Sequence, residues 1–391
     1  MPIDPIALSQ ELIRCPSITP EDAGALAVLE QVLAPMGFTC YRLPFGGKSM
    51  APVENLYAVY GEEGQNLCFA GHTDVVPPGE RKAWGVDPFE AIIKNGVLIG
   101  RGAVDMKPAI AAWVAAVSRF LESSERPRET FRGRISLLIT GDEEGEARYG
   151  TRKVLEWLKA RGEKLNACIV GEPTNPKKLG EMIKIGRRGS VSFVLTVHGT
   201  QGHVAYPDLA DNPVTRIIQI LSRLKAHQLD KGTEFFPPSN LEITSMNVQN
   251  PASNVIPADA EARFNIRFND QHTGGSLLEW VHAQCKTVAK DYTLEHHLSG
   301  EAFLTPPGYL SQLVSRSVES ITGYKPELST TGGTSDARFI KDVCPVVEFG
   351  LINETAHKVN EHIGVDAIQS LADIYERILR GYFLSVSHNT L

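Results

Sequence analysis

Apolar residues along this chain follow two rhythms. Short runs, unbroken but for Ser136 (Leu67-Cys68-Phe69-Ala70, Ile135-Ser136-Leu137-Leu138-Ile139, Ala167-Cys168-Ile169-Val170 and Val346-Val347), read as strands buried on both faces. Between them apolar residues recur at helical spacing, from Glu21 to Met36, from Met106 to Leu121 and around Val154–Leu158. Pro108 suits the second of these because it falls in the first turn, where no amide hydrogen bond is lost. Short buried strands alternating with helices predict an α/β fold with a doubly wound, mostly parallel sheet.

The middle of the chain changes rhythm. Val191–Val197 alternates apolar and polar residues, as a strand with one wet face does. Asn212-Pro213 reads as an N-cap and first-turn proline opening a helix through Ile217, Ile218, Leu221 and Leu224. Strands at Leu241–Val248 and Ala260–Phe268, a helix from Ser276 to Val288 and a strand near Tyr292–His297 complete the order β-α-β-β-α-β. That is the split arrangement of ferredoxin-like α+β domains. It predicts an inserted domain over 184–301, with 1–183 and 302–391 forming one discontinuous domain. Past Pro306-Pro307 the chain returns to a helix at Leu310–Ile321, a Gly/Thr/Ser loop, the strand at Val346 and a helix from about 366 to 384.

A length of 391 residues agrees with two domains. Apolar content of 42% and charged content of 22% are those of an ordinary globular protein. A net charge of −7, with basic pairs no longer than Arg187-Arg188 and Lys177-Lys178, speaks against nucleic acid. Met1-Pro2-Ile3-Asp4-Pro5 lacks the basic and apolar regions of a secretory signal. The apolar helical stretch from Ala109 to Val117 is far short of the roughly 20 residues that span a membrane. Six cysteines without C-x-x-C spacing suit a reduced, cytoplasmic compartment.

The chemistry gathers where apolar runs give way to loops. His72 and Asp74 follow the run ending at Ala70, Asp105 follows Gly100-Arg101-Gly102, and Asp142-Glu143-Glu144 follow Ile139-Thr140. Glu172 follows Val170-Gly171, and His357 lies past Val346-Val347. Carboxyl ends of parallel strands form one rim, so side chains carried there converge on one crevice. Residue by residue, two readings stand. His72 is either a ligand whose second ring nitrogen is held by Asp74, or a strand-end imidazole. Asp105 is either a ligand or the cap of the helix behind it. Three adjacent carboxylates call for a cation or for solvent. Glu172 and His357 could each be an ordinary loop residue.

The wording of these motifs narrows the choice. Gly71-His72-Thr73-Asp74-Val75-Val76-Pro77, Gly100-Arg101-Gly102-Ala103-Val104-Asp105-Met106-Lys107, Asp142-Glu143-Glu144, Gly171-Glu172-Pro173 and His357-Lys358-Val359-Asn360-Glu361 resemble those of the dinuclear zinc aminoacylase/carboxypeptidase family. So do Gly186-Arg187-Arg188-Gly189-Ser190, Gln201-Gly202-His203 and Asn254-Val255-Ile256-Pro257 of the middle domain, and Gly332-Gly333-Thr334-Ser335-Asp336 beyond it. The resemblance spans essentially the whole chain. Pro108 departs from it, where a small residue is usual.

The resemblance implies a ligand set. Asp105 would bridge two zinc ions, with cobalt as a possible substitute. His72 and Glu172 would complete one site, and Glu144 and His357 the other. Glu143 would stay unligated as general base, with Asp74 orienting His72. It also implies that the inserted domain makes a homodimer and that His203 reaches the partner's site. Arg188, Asn254, Arg267, Gly333 and Ser335 would hold the substrate's carboxylates. The implied reaction cleaves an acylated diamino acid, N-succinyl-LL-2,6-diaminopimelate, in lysine and cell-wall precursor synthesis. One alternative is another N-acyl amino acid deacylase, such as one acting on acetylornithine. The other is an inactive, metal-stabilised binding protein, against which the retained Glu143 speaks.

Overall fold

The computed structural model describes residues 2–46, 52–123 and 131–384, so the end of the expected discontinuous domain, 385–391, lies outside them. The chain divides into two compact units. One comprises Met1–Ile185, Thr305–Ser329 and Ser335–Leu391, the other Gly186–Leu304 and Thr330–Thr334.

The first unit is built on an eight-stranded sheet in the order Thr39–Arg42, Leu56–Tyr60, Arg134–Thr140, Asn66–His72, Ala167–Val170, Val346–Glu348, Met182–Lys184, Glu327–Ser329. The four apolar runs occupy its centre and are mutually parallel, with Cys68 opposite both Ser136 and Cys168, and Val346 opposite Cys168. Antiparallel pairs flank them, at 39–42 with 56–60, 56–60 with 134–140, and 346–348 with 182–184. The order carries a consequence. After Asn66–His72 the chain adds Arg134–Thr140 on one side and Ala167–Val170 on the other. Connections that part in this way open a crevice at the carboxyl ends of the strands.

Helices cover both faces. Phe69 faces the helix Lys107–Glu122, whose Trp113 stacks on it at 5.0 Å between ring centroids, with Tyr375 edge-on to both rings. Tyr57 shares a cross-strand row with Leu138 and Ala70, so it points the other way, onto Trp157 of the helix Thr151–Ala160. Lys107–Glu122 is buried on nearly every side, as a helix apolar all round must be. Its N-cap is Met106, with no side-chain cap, so Asp105 does not serve that helix as a cap. Short strands at Ile92–Lys94, Val97–Ile99 and His362–Gly364 form a small antiparallel sheet without a sequence signal of its own. It pairs His362 with Ile99 and so stitches the segment after His357 beside the turn that carries Asp105.

The second unit holds the strands Gly189–His198, Asn240–Asn247, Asp259–Phe268 and Tyr292–Gly300 and the helices Pro213–Ala226 and Gly274–Lys286. The sheet runs 240–247, 259–268, 189–198, 292–300, with every neighbour antiparallel. Val191, Phe193, Leu195 and Val197 pack with Phe264, Ile266, Ile217, Leu221, Leu277 and Val281 in one core. Asn212 caps the first helix, accepting from the Val214 amide at 3.0 Å, as the Asn-Pro pair predicts. Thr330–Thr334 joins this unit although no hydrophobic pattern announces it: the Thr330 hydroxyl donates to the Phe235 carbonyl.

Candidate metal centre

His72 is the last residue of its strand and is 1% exposed. Its Nε2 lies 3.1 Å from Asp105 Oδ1 and 3.6 Å from Glu172 Oε1. Its Nδ1 is held at 2.9 Å by the main-chain carbonyl of Asp74, whereas the Asp74 carboxylate stands off at 3.6 Å. This corrects the sequence reading, which gave that bond to the carboxylate. The Asp74 side chain instead accepts the amides of Glu143 (3.3 Å) and Glu144 (3.0 Å), fixing the next strand's loop against the His72 segment.

The two oxygens of Asp105 face different imidazoles. Oδ1 meets His72, and Oδ2 lies 3.3 Å from His357 Nε2, which is also 2.8 Å from Glu144 Oε1. Nitrogen and oxygen donors of His72, Asp105 and Glu144 fall within 4.8 Å of one another, and so do those of His72, Glu143 and Glu172. Of the three adjacent acids, Asp142 turns away and accepts the Tyr149 amide at 2.8 Å. A glycine is required nearby: a Cβ on Gly350 would strike the carbonyls of Gly171 and Glu172, which the strand Val346–Glu348 must pass closely.

Charge at the cluster is finely opposed. Burial lowers the pKa of His72, but the hydrogen bond and charge of Asp105, with Glu143 and Asp74, raise it well above the ordinary imidazole value. His357 is raised to about 10 by its contacts with Asp105 and Glu144. Burial alone would raise Asp105, yet the two imidazoles hold it well below the usual carboxylate range. Burial, then the Glu172 charge, push Glu143 well above that range, and burial lifts Asp74 to about 6. These acids are ionised side by side only where positive charge is supplied. Without ions, protonated imidazoles would supply it, and divalent ions bound to neutral imidazoles would supply it equally. The donor set, carboxylate oxygens plus two imidazole nitrogens around one shared Asp, therefore fits two such ions.

The remaining expected residues fall into separate places. Arg188 and Arg267 lie together in the second unit, where Arg188 Nη1 donates to Asn240 Oδ1 at 2.9 Å. Arg188 Nε and Arg267 Nη1 are buried with no hydrogen-bond partner among the described residues. Burial depresses both guanidinium pKa values, and Arg188 adds to the depression of Arg267. His203 and Asn254 are neighbours on a two-stranded ribbon, the Val204 amide donating to the Asn254 carbonyl at 3.1 Å. Gly333 is exposed in the same unit, with open space where a Cβ would be. Ser335 belongs to the first unit, fully buried, and its hydroxyl donates to Glu348 at 2.6 Å. Arg101 and Glu361, unread from the sequence, form a buried ion pair beside Asp105.

Comparisons with known proteins agree with this architecture. The chain is 57% identical over 386 residues to the succinyl-diaminopimelate desuccinylase of Parvibaculum lavamentivorans, covering 98% of this chain and 96% of that one. It is 56% identical over 387 residues to the enzyme of the same name from Rhodospirillum centenum, covering 99% of both. Among solved structures, the M20 family metallo-carboxypeptidase Sso-CP2 of Sulfolobus solfataricus superposes with a TM-score of 0.77 at 17% identity, over 97% of this chain and 99% of that one. Residues 68–381 match the model of Peptidase family M20/M25/M40, and the chain belongs to that family.

Proposed function

We propose that this protein hydrolyses N-succinyl-LL-2,6-diaminopimelate to succinate and LL-2,6-diaminopimelate, a step of lysine and cell-wall precursor biosynthesis. One observation carries the chemistry: the two oxygens of Asp105 are shared between two imidazoles, each with a further carboxylate within reach, and Glu143 stands beside them. His72, Asp105 and Glu172 would hold one zinc ion, and Asp105, Glu144 and His357 the other, with cobalt able to replace either. The ions would polarise the scissile carbonyl and acidify the attacking water.

The chain's own residues supply the rest. Glu143 takes the proton of the attacking water and returns it to the leaving amine, and its burial beside Glu172 favours the protonated carboxyl between the two transfers. Asp74 holds Glu143 in place through its main-chain amide. Arg188 and Arg267, with unsatisfied buried N–H groups, take the substrate's carboxylates as guanidinium forks do. Asn254, Gly333 and Ser335 add donors to the same task. His203 offers an imidazole N–H to the developing oxyanion.

His203 performs this in the site of a partner subunit, so the working form is a homodimer joined through the second unit. Its strand Asn240–Asn247 is a sheet edge, and beside it Ile218 (50% exposed), Ile243 (37%) and Met246 (49%) form an apolar patch. A second copy of the same edge and helix would cover both by two-fold symmetry. No helix among the described residues is long and apolar enough to cross a membrane. We place the enzyme in the cytoplasm, acting on a small molecule.

The test is amide hydrolysis by metal-stripped protein with zinc restored, offered N-succinyl-LL-diaminopimelate, N-acetylornithine and a dipeptide. Zinc-dependent turnover of the succinyl compound in clear preference is expected. Preference for N-acetylornithine would move the substrate and keep the mechanism. Two ions bound with no turnover of any compound would overturn the reading.

A further inference from the structure

Five segments must hold still for the centre to form, those of His72, Asp105, Glu144, Glu172 and His357, and three of them meet at one buried ion pair outside the ligand set. Arg101 is 2% exposed and Glu361 fully buried. Arg101 Nη1 donates to Glu361 Oε2 at 2.5 Å and to the Lys358 carbonyl at 3.3 Å. Its Nη2 donates to the carbonyls of Pro77 and His357, both at 3.3 Å. The guanidinium lies over the Trp84 ring at 5.4 Å, and Trp84 Nε1 donates to the Pro78 carbonyl at 2.9 Å. On the other side of the pair, Glu361 Oε1 accepts the amides of Val104 at 2.8 Å and Asp105 at 3.2 Å. One guanidinium and one carboxylate thus grip the segment after His72, the turn bearing Asp105 and the loop bearing His357.

The grip matters most at His357. That residue sits at φ +63° and Asn360 at φ +58°, a left-handed backbone that non-glycine residues keep only when their surroundings impose it. The carbonyls of His357 and Lys358, next to that bend, are both bound by Arg101. Global stability alone is a poor reason for such a pair, because a buried ion pair is often matched or bettered by apolar residues of similar volume. Geometry is the better reason. Glu361 takes two consecutive amides, and Arg101 reaches three carbonyls, which only a planar fork can do.

We infer that Arg101 and Glu361 are positioning residues for the second metal site: they set the distance between Asp105 and His357, and so the affinity of the ion held by Asp105, Glu144 and His357. This rests on the two-metal reading above. Loss of an outer partner of this kind lowers metal affinity about 10–100-fold.

The experiment titrates metal-stripped wild type, Glu361→Gln and Arg101→Lys with cobalt(II), following visible absorption for coordination and circular dichroism for folding. Wild type should bind two ions. In both variants one binding event should weaken about 10–100-fold while the other keeps its wild-type affinity. Folded variants that bind both ions as tightly as wild type would overturn the inference. So would failure of both conservative variants to fold, since the pair would then serve the fold and not the site. Fewer than two ions on wild type would overturn the two-metal reading itself, and this inference with it.

Discussion

In the first unit, chemistry is carried by strand ends. Four parallel strands stop at one rim, and His72, Glu172 and Asp74 are almost wholly buried there, each held by neighbours from other loops. In the second unit the sheet is antiparallel and its candidate residues are carried differently. His203, in a two-residue ribbon, and Asn254, just before its other strand, are exposed, and the guanidiniums of Arg188 and Arg267 have buried donors left unpaired among the described residues. The first arrangement is closed on itself, every ligand already in contact with another ligand. The second has unmet hydrogen-bonding capacity and an uncovered apolar edge. On the function proposed above, reaction chemistry would belong with the first pattern, and recognition of substrate and of a partner copy with the second.

The sharpest way to break this division is to remove the base. Glu143→Gln should lower kcat about 10²–10⁴-fold with two zinc ions still bound, read by steady-state kinetics and metal analysis. His203→Ala should follow, losing about 10²–10³-fold in kcat as an oxyanion donor does. Mixing His203→Ala with Glu143→Gln subunits should then restore part of the activity. Verified heterodimers without rescue would place His203 outside the partner's site. Arg188→Ala or Arg267→Ala should raise KM about 10–100-fold, the worth of a charge-assisted hydrogen bond, with metal content unchanged.

The smallest effect concerns pH. In metal-free protein the folded-state pKa of His357 is raised from 6.5 to about 10. The folded state therefore keeps a proton the unfolded chain has lost, so this contribution to stability is whole below pH 6.5 and fades as pH rises towards 10. Thermal midpoints of metal-stripped protein should fall across that window, and His357→Ala should flatten the fall.

Much of the first pattern is legible in the sequence because burial writes itself as apolar runs. The strands at 66–72, 134–140 and 167–170 and the helix after Asp105 each carry that signal, and the ligand residues stand at their ends. The Asn212-Pro213 cap is equally plain, being local chemistry. Long-range hydrogen bonds leave no such mark. Nothing in the spacing of His72 and Asp74 distinguishes a carbonyl partner from a carboxylate one, 2.9 Å against 3.6 Å. Arg101 and Glu361 are 260 residues apart, and only the glycines flanking Arg101 and the nearness of Glu361 to His357 hint at a shared task. Ser335 reads as a loop donor, yet its place beside buried Glu348 depends on a strand contact that no periodicity reveals.

The measurement closest to the central claim is a calorimetric zinc titration of metal-stripped wild type and of Asp105→Ala. If Asp105 joins two sites at the rim of the parallel sheet, wild type takes up two ions per chain and Asp105→Ala loses tight binding of both. A single ion on wild type, or two tightly held ions on Asp105→Ala, would contradict the account.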